Sequence, residues 1–236
     1  MQLVKTLWGM TELESPELWF STFRRIKSDG FDAIEASPTT LRPFAGSYTV
    51  LRDHLDTVGL AIVVQVQTCG YPVPVASSAE HIASLRSQCL SALPLRPVMF
   101  NVHGGKDSFT RTEAEEFFVG AVAVEDEFGI RMVHETHRRR IMYSPFVLRD
   151  MTLPRAVKLN ADISHWTVVC GRCLEDGNAD GAEFWSAVLA ELSERCCYIH
   201  ARVGSSEAPQ VSDPLRPNTR RRWQRTRRRG RSWYGP

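Results

Sequence analysis

Val98-Met-Phe-Asn-Val-His-Gly-Gly-Lys106, Thr112-Glu-Ala-Glu-Glu-Phe-Phe118 and Gly129-Ile-Arg-Met-Val-His-Glu-Thr-His137 follow one another in mid-chain, and together they spell one strand–helix–strand unit. The first and third pieces are short apolar runs of the length and composition of buried strands. Between them, Thr112-Glu-Ala-Glu115 has the spacing of a capping box, which predicts the start of a helix there. Phe117, Phe118, Ala121, Val122 and Phe128 supply its apolar side, and Gly129 stops it and hands the chain to the next strand.

Working outward, similar runs recur at intervals of roughly thirty residues, the length of a βαβ unit. They are Leu3–Met10, Phe31–Ser37, Leu60–Thr68, Val98–His103, Ile130–Thr136, Val157–Ile163 and Cys196–Val203, seven in all. Helical stripes lie between them. Pro16–Ile26 places Leu18, Trp19, Phe23 and Ile26 on one face, and Glu183–Leu192 does the same with Phe184, Val188, Leu189 and Leu192. Strands alternating with helices predict a parallel sheet, and this many units predict an α/β protein of the (β/α)8 TIM-barrel class. A doubly wound nucleotide-binding sheet is the rival, but no G-x-G-x-x-G follows any of the runs. A full barrel takes about 250 residues; this chain has 236 and only seven runs, so the expectation is a barrel domain over 1–211 that is truncated after strand seven.

Beyond that point the texture changes. Between Pro214 and Pro236 there are nine Arg, no Lys and no acidic residue. The net charge of +2 therefore hides an acidic body and a basic tail. Residues 212–236 have no amphipathic period and cannot build a core. They read either as a nucleic-acid-binding arm, in which Trp223 and Trp233 interleave with Arg, or as an out-of-frame end. Their position, where the fold still owes a strand, favours the second. No apolar run approaches the roughly 18 residues of a membrane span, and Met1–Lys5 lacks the features of a signal peptide. A cytoplasmic protein with free thiols is the expectation. Cys170-Gly-Arg-Cys173 lacks the second pair that a zinc ribbon needs, since Cys196 and Cys197 are adjacent and face opposite ways in a strand. Buried or incidental thiols are the better reading.

In a parallel barrel the active site forms where the strands end. Strand four ends in Asn101-Val-His103, strand five in His134-Glu135-Thr-His137, strand six in Asp162-Ile-Ser-His165, and strand seven in His200-Ala-Arg202. Alternation puts Glu135 and His137 on one face and turns His134 toward the helix layer. Glu135, Asp162 and His200 together make a mixed oxygen and nitrogen donor set suited to Mn2+, Mg2+, Co2+ or Zn2+. His134-Glu-Thr-His137 is not the zinc-protease motif, because Arg138 stands where the second His is needed and the segment reads as a strand.

With these motifs, and with Phe31-Asp-Ala-Ile-Glu35 and His200-Ala-Arg-Val-Gly204, the chain from about Lys5 to Val211 resembles the xylose isomerase-like TIM-barrel proteins. These are the sugar phosphate isomerases and epimerases, a group that includes hydroxypyruvate isomerase, ketose 3-epimerases and endonuclease IV. The resemblance implies Glu135 as metal ligand and acid/base, with Asp162 and His200 as further ligands. It implies His103, His165 and Arg202 as substrate contacts, and a sugar or sugar phosphate as the small-molecule partner. The implied chemistry is proton transfer through a cis-enediolate. The family's strand-eight glutamate, the opposing base, has no counterpart in the Arg-rich tail, and Glu207 lies on the wrong element to replace it. Two alternatives stand beside this reading: a catalytically incomplete barrel fragment, inactive for want of the strand-eight glutamate, and an abasic-site endonuclease of the same fold, which needs a His on strand three, where this chain has Gln65, Gln67 and Thr68. No membrane partner is expected, nucleic acid only through the tail, and a homo-oligomer is left open.

Overall fold

A computed structural model describes residues 2–10, 15–44, 46–70, 75–171, 182–211 and 213. Seven strands form one curled sheet in sequence order: β1 (Val4–Thr6), β2 (Ala33–Ala36), β3 (Ala61–Gln67), β4 (Met99–His103), β5 (Met132–Glu135), β6 (Lys158–Ala161) and β7 (Cys196–Ile199). Every neighbouring pair is parallel. Helices α1 (Pro16–Ser28), α2 (Tyr48–Val58), α3 (Ser78–Ala92), α4 (Arg111–Phe128), α5 (Pro145–Asp150), α6 (Ile163–Cys170) and α7 (Ala182–Arg195) occupy the connections. The architecture is the expected barrel class. Among the described residues neither β1 nor β7 pairs with an eighth strand, and the Arg-rich tail and Cys173 lie outside them.

Strand alternation divides the sheet into two chemically different faces. Ile34, Ile62, Val64, Val66, Phe100, Val102, Met132 and Leu159 belong to the apolar core against the helices. Trp19 and Phe23 of α1 and Phe117 and Phe118 of α4 are buried against them; each such side chain contributes about 1.5–3 kcal/mol by leaving water. The alternate residues Glu35, Gln65, Asn101, Glu135 and Asn160 face the barrel interior. Register brings several side by side: Gln65 pairs with Asn101, Gln67 with His103, and Glu135 with Asn160. The hydrophobic half of each strand holds the fold, and the polar half makes the site.

Four local readings are corrected. The N-cap of α4 is Thr110, not Thr112: the Thr110 hydroxyl accepts from the Glu113 N–H, and the Glu113 carboxylate reaches back to the Thr110 N–H. Both Thr-x-x-Glu spacings fit a capping box, but starting earlier adds two residues to the helix and frees Glu115 to accept from Arg111 and from the Thr152 N–H. Leu18 is exposed, because the buried stripe of α1 is Trp19, Phe23 and Ile26, and Leu18 falls one step off it. Strand six stops at Ala161, and Asp162 instead caps α6 by accepting from the Ser164 N–H at 3.2 Å. Strand seven ends at Ile199, so His200 and Arg202 sit just beyond it.

At the end of β4 the chain must pass close to α4. A Cβ on Gly104 would stand 2.5 Å from the Phe117 ring, so only glycine allows this approach. Arg140, fully buried, ties the loops of this rim together by donating to the carbonyls of Thr68 (2.9 Å), Gly105 (3.2 Å) and Gly70 (2.7 Å).

Candidate metal centre

Glu135 sits at the centre of the mouth, 3% exposed, at the last position of β5. Its Oε2 accepts from Asn101 Nδ2 at 2.7 Å and from His103 Nε2 at 2.7 Å, with Asn160 Nδ2 at 3.3 Å. Burial alone raises the proton affinity of such a carboxylate. The charge and hydrogen bonds of His103 and His200 outweigh it and hold Glu135 well below the usual carboxylate range. Asp162 is also fully buried, and Ser164 Oγ donates to its Oδ1 at 2.5 Å. Burial and the Glu135 charge work against its ionised form, and the His200 hydrogen bond with the charges of Arg202 and His165 lowers its pKa nonetheless.

His200, the third ligand candidate from the sequence, lies beside both carboxylates. Its Nδ1 lies 3.4 Å from Glu135 Oε2 and 3.5 Å from Asp162 Oδ2. Donors held at about 2.0–2.2 Å around a four-coordinate ion stand about 3.4 Å apart, and these two distances have that length. Burial works against a charged ring here. Glu135, together with hydrogen bonds to Asp162, Glu135 and Glu35, pushes its pKa up to about 12. A proton on His200 therefore supplies positive charge beside the buried carboxylates of Glu135 and Asp162.

The remaining sequence candidates gather around the same point. His165 Nε2 is 3.9 Å from both Glu135 Oε1 and Asp162 Oδ2, and these three residues could hold one ion. Arg202 pairs with Asp162 and donates to Ser164 Oγ at 3.0 Å and to His165 Nε2 at 2.7 Å. Burial first, and then the Arg202 charge, lower the His165 pKa to about 4. His137 stacks on His103, with ring centroids 4.4 Å apart, and lies tilted against His165, 4.0 Å away. Burial and the neighbouring imidazoles lower its pKa to about 2. His137, His103 and Glu135 also lie close enough to share an ion. Both neutral rings keep nitrogen lone pairs, which a ligand role requires. His134 points outward, as alternation demands, and packs on Phe117 and Phe118. Lys106 leans over the Phe109 ring, and Trp8 is exposed rather than packed into the core.

Sequence reasoning missed Glu35, Asn160, Gln65 and Tyr198 as site residues. Glu35 is buried at 1% exposure on β2, with Oε2 3.0 Å from His200 Nε2 and Oε1 3.4 Å from Gln65 Nε2. Parity was the available signal: Asn160 is two residues before Asp162, and Glu35 alternates with the core residues Ile34 and Ala36.

No protein-family model matches the chain, and no curated protein matches it. Solved structures do. The probable 3-DHS dehydratase AsbF of petrobactin synthesis from Bacillus anthracis superposes with a TM-score of 0.60 at 15% identity, covering 92% of this chain and 78% of that one. A D-tagatose 3-epimerase-like protein gives 0.59 at 16% identity, over 89% and 79%. The IOLI protein with a bound zinc atom gives 0.58 at 12% identity, over 97% and 96%. At such identities the likeness shows the fold, which is that of the xylose isomerase-like TIM barrels.

Proposed function

Starting from the xylose isomerase-like barrel that the chain forms, we propose that this protein is a metal-dependent isomerase or epimerase of sugars or sugar phosphates. The observation that carries the reading is the 3.4 and 3.5 Å spacing of His200 Nδ1 from the Glu135 and Asp162 carboxylates at the barrel mouth. The epimerase-like and zinc-bound structures of the same fold support it.

Glu135, Asp162 and His200 would hold a divalent cation, Mn2+, Mg2+, Co2+ or Zn2+. Such an ion acts as a Lewis acid, polarising a carbonyl oxygen and easing loss of the neighbouring proton. The chain supplies the rest. Glu135 is ionised at neutral pH and is the group placed to take a proton from the carbon beside that carbonyl. Asn101 and His103 fix the direction of its carboxylate by hydrogen bonds. His165 and Arg202 line the same mouth with donors for substrate hydroxyls or a phosphate, and the half-buried ring of His137 stands beside them.

Incubating the protein with Mn2+ and a panel of ketoses in deuterated water tests this. Wild type is expected to exchange a carbon-bound hydrogen for deuterium, and Glu135→Gln to lose that exchange by at least a hundredfold. Unchanged exchange in the variant refutes the assignment of Glu135. Nicking of abasic DNA by the purified protein would overturn the sugar reading in favour of the endonuclease.

A further inference from the structure

Glu35 is a carboxylate of the mouth with no part in the chemistry proposed above. It lies on β2, across the interior from β7, and 165 residues separate it from the ring it touches. Its Oε2 accepts the Nε2–H of His200 at 3.0 Å, and the Tyr198 side chain hydrogen-bonds to the same carboxylate. The His200 ring is thus clamped end to end. Nε2 meets Glu35 at 3.0 Å, with the Asn160 side-chain amide at 3.2 Å, and Nδ1 faces Glu135 at 3.4 Å and Asp162 at 3.5 Å.

A histidine can offer a lone pair to a cation from only one nitrogen, and the hydrogen bond made by the other decides which. We infer that Glu35 is a positioning residue. By accepting the Nε2 proton of His200 it fixes that ring's tautomer and direction, so that Nδ1 is the nitrogen presented to a divalent cation between Glu135 and Asp162. This inference rests on the metal centre proposed above. It explains a carboxylate buried at 1% exposure whose near neighbours besides His200 are the uncharged Gln65 and Tyr198. It also accounts for a ligand that lies past the last residue of β7. The His200 backbone is tied to β6 through the Ala161 carbonyl, and Glu35 directs the side chain.

The test uses the full chain and Mn2+ alone, titrated calorimetrically into wild type, Glu35→Leu and Glu35→Gln, with melting temperatures taken in the absence of metal. Glu35→Leu removes the acceptor and is expected to weaken Mn2+ binding 10- to 100-fold, the usual effect of losing an outer hydrogen-bond partner. The metal-free melting temperatures establish that each variant is folded at the temperature of the titration. Glu35→Gln keeps a carbonyl oxygen for the Nε2 proton and should recover part of the affinity. Binding by Glu35→Leu within twofold of wild type overturns the inference while leaving the metal centre standing. If wild type takes up no metal, the centre itself falls, and the inference with it. Should Glu35→Leu fail to fold, nitrogen-15 correlation spectra of the wild type loaded with diamagnetic Zn2+ decide the matter. A proton on Nε2 and the metal on Nδ1 of His200 support the inference, and the reverse assignment overturns it.

Discussion

Metal binding should be driven by pH in a way that an ordinary histidine would not produce. The proton that occupies His200 in the metal-free protein is held up to a pKa of about 12 by Glu135, Asp162 and Glu35. Below that value the ring is protonated, and a cation can reach Nδ1 only by displacing the proton. Each metal bound then releases one proton from this residue, and the apparent affinity rises tenfold per pH unit, about 1.4 kcal/mol. Between pH 6.5 and 8.5 that amounts to about a hundredfold, or ~2.7 kcal/mol. A histidine with the usual value near 6.5 would instead give a flat dependence above about pH 7.5. Glu135 and Asp162 contribute no slope in this window, because both are held ionised far below it. The assay is calorimetric titration with Mn2+ across this range, in buffers of different ionisation enthalpy, so that released protons are counted directly. A log–log slope near zero above pH 7.5, or no proton released, refutes the reasoning. The same charge affects folding with a definite sign. Because the pKa of His200 is raised on folding, its contribution to metal-free stability is complete below about pH 6.5 and is lost progressively as pH climbs toward 12.

Two further outcomes are expected. Mn2+ at a hundredfold excess over its Kd should stabilise the folded chain by about 2.7 kcal/mol, read as a rise in melting temperature; no rise at saturating metal would count against the centre. At the start of α4, Thr110→Ala should cost about 1 kcal/mol in urea denaturation, whereas Thr112→Ala, already inside the helix, should change stability by less than about 0.5 kcal/mol. Equal effects would contradict the observed cap.

The sequence made the barrel legible because short apolar runs recur about every thirty residues with helical stripes of period 3.6 between them. Ile62, Val64 and Val66 on β3, set against Trp19 and Phe23 on α1, show the two periods meeting in one core. Element ends were less legible, because hydrogen bonding rather than hydropathy decides them. Asp162 looks like part of a strand until its carboxylate is seen capping α6, and Thr112 and Thr110 offer the same cap spacing with only one helix to start. The site divides along the same line. Glu135, Asp162, His165 and His200 stood out as ionisable groups at run ends, and the structure brings them together. Glu35 did not, because its partner lies 165 residues away and the relation exists only once the sheet curls. That curvature is what converts a row of separate strand ends into a chemical unit. Glu35 from β2, Glu135 from β5 and Asp162 after β6 converge on one imidazole ring. A flat sheet of the same seven strands would keep Glu35 and His200 apart, so the barrel's curvature is itself part of the metal centre proposed above.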